Sequence, residues 1–211
     1  MWERGSDEFT RVIAFSDAVF AIAMTLLVTG IAVPTIDDAR SASDLADAIG
    51  DESDAITSFF VSFAVIGRYW VAHHAFFSLL ARIDRRLLAT NLVYLGFIAF
   101  LPFPTALLGD FFDNPLSIAI YAGAVAIVSG LEVLQFRVAY RDALLKREMP
   151  SDVYRWNSMM SLSPVIFFVL SIPVAYALGS GWAIATWFLA VPFQMLASRW
   201  EPEGADEYLL E

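Results

Sequence analysis

Six stretches of mostly apolar residues follow one another along the chain, at 12–33, 57–80, 87–109, 116–138, 158–178 and 182–199. A helix needs about 20 such residues to cross the hydrocarbon core of a bilayer. Within that core every backbone N–H and C=O must be bonded inside the protein, so only helices or a closed barrel can span it. The short alternating segments of a membrane barrel are missing from the sequence. The expected fold class is therefore all-α: a polytopic membrane protein with six transmembrane helices in the lipid bilayer. Only 17% of the residues are charged, against about 25% in a soluble domain. The first stretch is longer than a signal-peptide core and lacks the flanks of one, so it is expected to stay as a span.

Basic residues concentrate in the connections that face the cytoplasm. With the N-terminus inside, those connections hold Arg4, Arg11, Arg82, Arg85, Arg86, Arg137, Arg141, Lys146, Arg147, Arg155 and Arg199, eleven of the thirteen. The outer loops hold only Arg40, beside nine acids that include Asp37, Asp38, Asp44, Asp110 and Asp113. The expected localisation is a cell membrane, multi-pass, with cytoplasmic N- and C-termini. The outer acids either draw cations to a pore mouth or simply solvate their loop. Residues 1–200 form one six-helix domain in this reading, and 201–211 an acidic C-terminal tail expected to fray.

Other function classes drop out. Without cysteine there is no disulfide, thiolate metal site or cysteine nucleophile. A net charge of −10 argues against nucleic acid. Ser16 and Asp17 are sequence neighbours with no evident oxyanion loop, so a Ser–His–Asp hydrolase is not expected. His73 and His74 point about 100° apart on a helix, so they do not make a metal pair. No enzyme activity and no cofactor are expected.

Ionisable groups inside a span cost about 2.5–3.5 kcal/mol each on insertion scales, so they need partners or water. Asp17 in helix 1, His74 in helix 2 and Asn91 in helix 3 fall within one inner layer roughly 6–9 Å deep at the helical rise. Ser16 lies beside them, and Arg11 is near enough to join. One reading makes this layer a hydrogen-bonded clamp on helices 1, 2 and 3. Another makes the acid and imidazoles a proton relay or an ion site. Arg68 in mid helix 2 and Glu132 in helix 4 would lower each other's cost if they met.

Helix 1 carries Ala18, Ile22, Thr25 and Thr29 at helical spacing. Such a stripe suits close helix packing. It also suits a narrow water path, with Ile22 gating by dewetting and Thr25 replacing part of a cation's water shell. A single six-helix subunit has little room for a pore, so a pore needs several copies around an axis. No TVGYG filter sequence occurs.

Three ordered motifs over residues 11–108 resemble a known family. Arg11-Val-Ile-Ala-Phe15-Ser16-Asp17 is similar to the RxxxFSD signature of the transmembrane protein 175 family, the endosomal and lysosomal potassium channels and their prokaryotic relatives. Trp70, His73 and His74 resemble its WxxHHxxF. Asn91, Leu92 and Leu95, followed by Phe100-Leu101-Pro102-Phe103-Pro104-Thr105, resemble its NLxxL and FLPFxT runs. The resemblance implies a potassium-preferring cation channel in which six-helix prokaryotic chains form a homotetramer, with helix 1 lining a central pore. It implies an apolar constriction at Ile22, a potassium-selecting threonine layer at Thr25, and further layers at Leu26 or Thr29. Relatives often have an apolar residue where this chain has Thr29, which bears on how dry the outer half of the pore is. The resemblance also implies a lock of helix 1 built from Arg11, Phe15, Ser16, Asp17, Trp70, His73, His74 and Asn91. The partners are then other copies of the chain and permeant monovalent cations, with K+ near Thr25 as the only bound metal. The alternative is a secondary transporter or proton pathway through the Asp17, His74 and Arg68 groups.

Overall fold

The computed structural model describes residues 1–209. Helices α1 (Asp7–Leu26), α2 (Ala42–Asp51), α3 (Ser53–Ser78), α4 (Arg85–Phe100), α5 (Pro102–Asp110), α6 (Pro115–Arg141), α7 (Ser151–Leu178), α8 (Ser180–Trp187), α9 (Ala190–Ala197) and α10 (Asp206–Leu209) follow in order. They make six apolar spans, Asp7–Gly30, Ser53–Ser78, Arg85–Asp110, Pro115–Arg141, Ser151–Leu178 and Ser180–Trp200. All six expected spans are present, several extended at one end by the polar residues that cap them. Ser6 accepts from the Phe9 N–H, Asp84 from that of Leu87, and Asn114 from that of Leu116, so each cap satisfies an orphan donor at a helix start.

Three spans depart from straight α-helix for local reasons. The first tightens to a 3-10 turn over Leu27–Gly30 and is extended by Ile31, short of the expected 33. There a Gly30 Cβ would meet the Ala106 Cβ at 3.4 Å, an ordinary van der Waals contact, so the turn packs on α5 without demanding glycine. The third breaks between α4 and α5 at Leu101, because Pro102 has no N–H to continue the ladder. The sixth breaks between α8 and α9 at Phe188, the position four before Pro192 whose carbonyl the proline ring would strike.

The core runs through the first five spans and α8, with Phe20, Ile66, Tyr69, Tyr94, Ile98, Tyr121 and Val125 at its centre. Two small clusters lie at the ends of the spans on the N-terminal side. Residues Trp2–Glu3 (β1) pair antiparallel with Arg82–Ile83 (β2), which ties the N-terminus to the loop after the second span. Arg4 completes that tie by donating to the carbonyls of Ser78, Leu80 and Phe77 at 2.7, 3.0 and 3.3 Å. Those carbonyls include orphans at the end of α3, where a cation is favoured.

The outer acidic loop holds the short helix α2, which Ser41 caps by accepting from the Asp44 N–H. One expectation is corrected here. The tail does not fray over 201–209. Ala205 is buried beside Met149 and Val153, Tyr208 packs on the same cluster, and Arg147 donates to the Glu207 carbonyl at 3.2 Å. Residues 210–211 lie outside the described residues.

Candidate functional site

Helix α1 has two unlike faces. Phe9, Ser16, Phe20, Ala23 and Leu27 are buried against the bundle at spacings of three, four and seven. On the other side Arg11, Phe15, Ala18, Ile22, Thr25, Leu26 and Thr29 are exposed in the single chain. Ile22 is 57% exposed and Leu26 45%, in a span that is apolar all round. The Thr25 hydroxyl donates to the Ile22 carbonyl at 2.9 Å, and that of Thr29 to the Leu26 carbonyl at 2.7 Å. Each hydroxyl hydrogen is thus used within the helix, and each oxygen keeps its lone pairs.

The buried face carries the polar network. His73 Nε2 stands 2.9 Å from Asn91 Oδ1, and Asn91 Nδ2 donates to Ser16 Oγ at 3.1 Å. Because an amide oxygen only accepts, His73 Nε2 carries the proton. Ser16 Oγ then donates to the Val12 carbonyl at 2.9 Å. The chain of donors therefore runs one way, from helix α3 to α4 to α1, and ends on a backbone oxygen. The His73 ring is held between Phe77 at 4.3 Å and Tyr94 at 5.7 Å, both stacked, with Phe20 tilted at 5.4 Å. Separately, Trp70 Nε1 donates to Asp17 Oδ1 at 3.0 Å.

Within one chain three of the expected members stand apart. Arg11 is exposed and makes no hydrogen bond or ion pair among the described residues. Six residues at about 100° each put it roughly 240° round the helix from Asp17. Phe15 is exposed on the same side as Arg11. His74 is exposed too, its ring 5.8 Å from that of Trp70. The inner-layer partner of Asn91 is therefore His73, one residue earlier than the depth argument chose. Arg68 does not join this cluster. Its Nη1 lies 3.8 Å from Glu132 Oε2, so the pair whose contact was open does form.

Sequence reasoning missed a second polar ladder, toward the ends of the spans away from the N-terminus. Thr105 donates to Ser62 at 2.8 Å, and Ser62 donates to the Tyr121 hydroxyl at 2.9 Å. The hydroxyls of Tyr69 and Ser129 meet at 2.7 Å. Single hydroxyls in apolar runs carry no charge signal, and only their mutual placement marks them.

The family model of the endosomal/lysosomal potassium channel TMEM175 matches residues 11–102. A potassium channel of Streptomyces collinus is 39% identical over 134 residues, 64% of this chain and 64% of that protein. A potassium channel of Chamaesiphon minutus is 40% identical over 133 residues, covering 57% of this chain and 62% of its own. The human endosomal/lysosomal proton channel TMEM175 is 33% identical over 97 residues, only 19% of its length. The chain thus aligns with less than two thirds of these curated relatives. Over the fold the likeness is longer: the crystal structure of a lysosomal potassium-selective channel TMEM175 homologue from Chamaesiphon minutus superposes with a TM-score of 0.74 at 27% identity, covering 91% of this chain and 99% of that one. With the motif segment, the six spans and their arrangement all shared, the chain is similar to the TMEM175 channels in both sequence motif and fold.

Proposed function

We propose that the chain is a potassium-preferring cation channel of the cell membrane, formed by four copies around an axis lined by α1. Residues 1–200 are its channel domain, 201–211 its acidic tail, and both termini face the cytoplasm, as the distribution of Lys and Arg favours. The observation that carries the reading is the exposed stripe of α1. Its bundle face is hydrogen-bonded, while Ile22, Thr25, Leu26 and Thr29 are left open on the other side. A closed ring of such stripes gives an apolar constriction at Ile22 that gates by dewetting, with Leu26 and Thr29 in the next layers outward. It gives a hydroxyl layer at Thr25 whose free lone pairs replace part of the water shell of K+. No further cofactor enters. The printed names of the bacterial relatives, both potassium channels, support the choice of cation.

Recording from purified protein in planar bilayers tests this. A potassium-preferring current, enlarged when Ile22→Asn wets the narrowest ring, is the expected result. No cation current, or a current that Ile22→Asn leaves unchanged, overturns it. The transporter or proton-pathway reading draws less support. The donor chain from His73 ends on the Val12 carbonyl, and Arg68 lies with Glu132 rather than with Asp17.

A further inference from the structure

The first turns of α1 have little packing of their own, since before Ser16 only Phe9 is buried. What fixes them is the strap ahead of the helix. Trp2 and Glu3 pair with Ile83 and Arg82, and the Arg4 N–H donates to the Ala81 carbonyl at 2.8 Å. The Arg4 guanidinium reaches three carbonyls at the end of α3 and lies 5.9 Å from the centre of the Phe9 ring, so one side chain touches α3 and α1 together. Trp2 packs on the same cluster as Phe9. Gly5, at a φ of +89°, then turns the chain directly into Ser6, the cap of α1, and the Ser6 N–H closes that turn on the Glu3 carbonyl at 3.0 Å. No slack lies between strap and helix.

The seat is firmer than the strap. The Ala81 N–H donates to the Leu144 carbonyl at 2.9 Å, the Lys146 N–H to the Leu79 carbonyl at 2.9 Å, and Arg82 Nη2 to the Ala143 carbonyl at 3.2 Å. These bonds brace the seat against the connection between α6 and α7. A two-residue strand with Glu3 and Arg4 exposed belongs to the low-stability end of a fold and opens before the bundle does. When it opens, α1 moves and the seat stays. We infer that the strap is a conformational device that sets the width of the inner pore mouth. This rests on the channel reading above, in which the exposed stripe of α1 faces the axis and the N-terminus faces the cytoplasm. Engaged, the strap draws the start of α1 back onto its own bundle and holds the mouth open. Disengaged, the helix is free to hinge at Ser16, roughly 15 Å from Ser6 at the helical rise, and to carry Arg11 toward the axis. A ring of Arg11 side chains then lies across a cation path.

The chain has no cysteine, so Glu3→Cys with Arg82→Cys, opposite each other in the ladder, gives a strap that oxidation bolts and reductant frees within one bilayer recording. Open probability should be higher oxidised than reduced. Arg4→Gln should lower it about fivefold, the effect of losing one hydrogen bond, with the potassium preference unchanged. In the same variant amide exchange over 10–15 should quicken while that over 17–26 does not, a pattern that general destabilisation would not give. Open probability that neither bolting nor Arg4→Gln moves, or that oxidation lowers, overturns the device. So does exchange that quickens equally along α1 or not at all. A wild type without current strikes the channel reading and the pore role with it, and the exchange pattern tells that failure from a failed strap.

Discussion

In the first three spans, Ser16, Asn91 and His73 satisfy one another at 2.9–3.1 Å and end on a backbone carbonyl, with no net charge required. Between the second span and the last three, Arg68 and Glu132 face each other at 3.8 Å beside an open crevice. The first region is also tightly packed: a Cβ at Gly109 of α5 would stand 3.0 Å from the Ala55 Cα of α3. The first region is closed, so its polar groups fix the pose of α1 and need nothing from outside. The second leaves its two charges to each other, without a hydrogen bond between them, at the head of a crevice. In a bilayer, where helices gain little from burying apolar surface against each other, close packing and hydrogen bonds separate a rigid unit from an adaptable one.

The comparison can be broken in stages. Asn91→Ala leaves both His73 and Ser16 without a partner, so purified protein should lose about 2–3 kcal/mol, read as a lower Tm or a lower midpoint in denaturing detergent. Replacing both members of the other pair, Arg68→Met with Glu132→Leu, should change stability by less than about 1 kcal/mol, because an ion pair exchanged for apolar groups is often neutral. If the double replacement costs as much as Asn91→Ala, the two regions are not different in kind. Next in size is Gly109→Ala, which pushes α3 and α5 apart and should cost about 1–2 kcal/mol. Gly123→Ala, on an exposed face of α6, should instead be neutral or stabilise by up to about 1 kcal/mol, as helix propensity favours alanine. Smallest is Trp70→Phe, which removes the one indole donor to a half-exposed Asp17. It should cost about 1 kcal/mol and leave the His73–Asn91–Ser16 chain intact, which amide exchange at Asn91 would report.

Much of the closed region could be read from residue order. Ser16, Asp17 and Asn91 come to matched depths because rise per residue is constant, so counting from span ends is enough to place them in a layer. The error of one residue, His74 for His73, has the same geometry behind it. Adjacent residues share nearly the same depth but point about 100° apart, and depth alone cannot choose between them. Arg11 and Phe15 were grouped with the lock by the resemblance, yet within one chain they lie on the stripe that faces away. The open region was almost illegible. Arg68 and Glu132 stood out as charges in apolar runs, but their contact depends on how two helices 64 positions apart in the chain are rotated.

Sequence by itself determined six spans, the break at Pro102, the gathering of Lys and Arg at one end of the spans, and the polar layer of the first three spans. Each follows from a local property: run length against bilayer thickness, a missing N–H, charge beside a membrane, rise per residue. Tertiary structure alone decided which histidine meets Asn91, that Arg68 meets Glu132 at the head of a crevice, and that the tail folds back onto Met149 and Val153. Those outcomes turn on the rotation and separation of helices distant in the chain, which side-chain packing sets cooperatively and no single segment encodes.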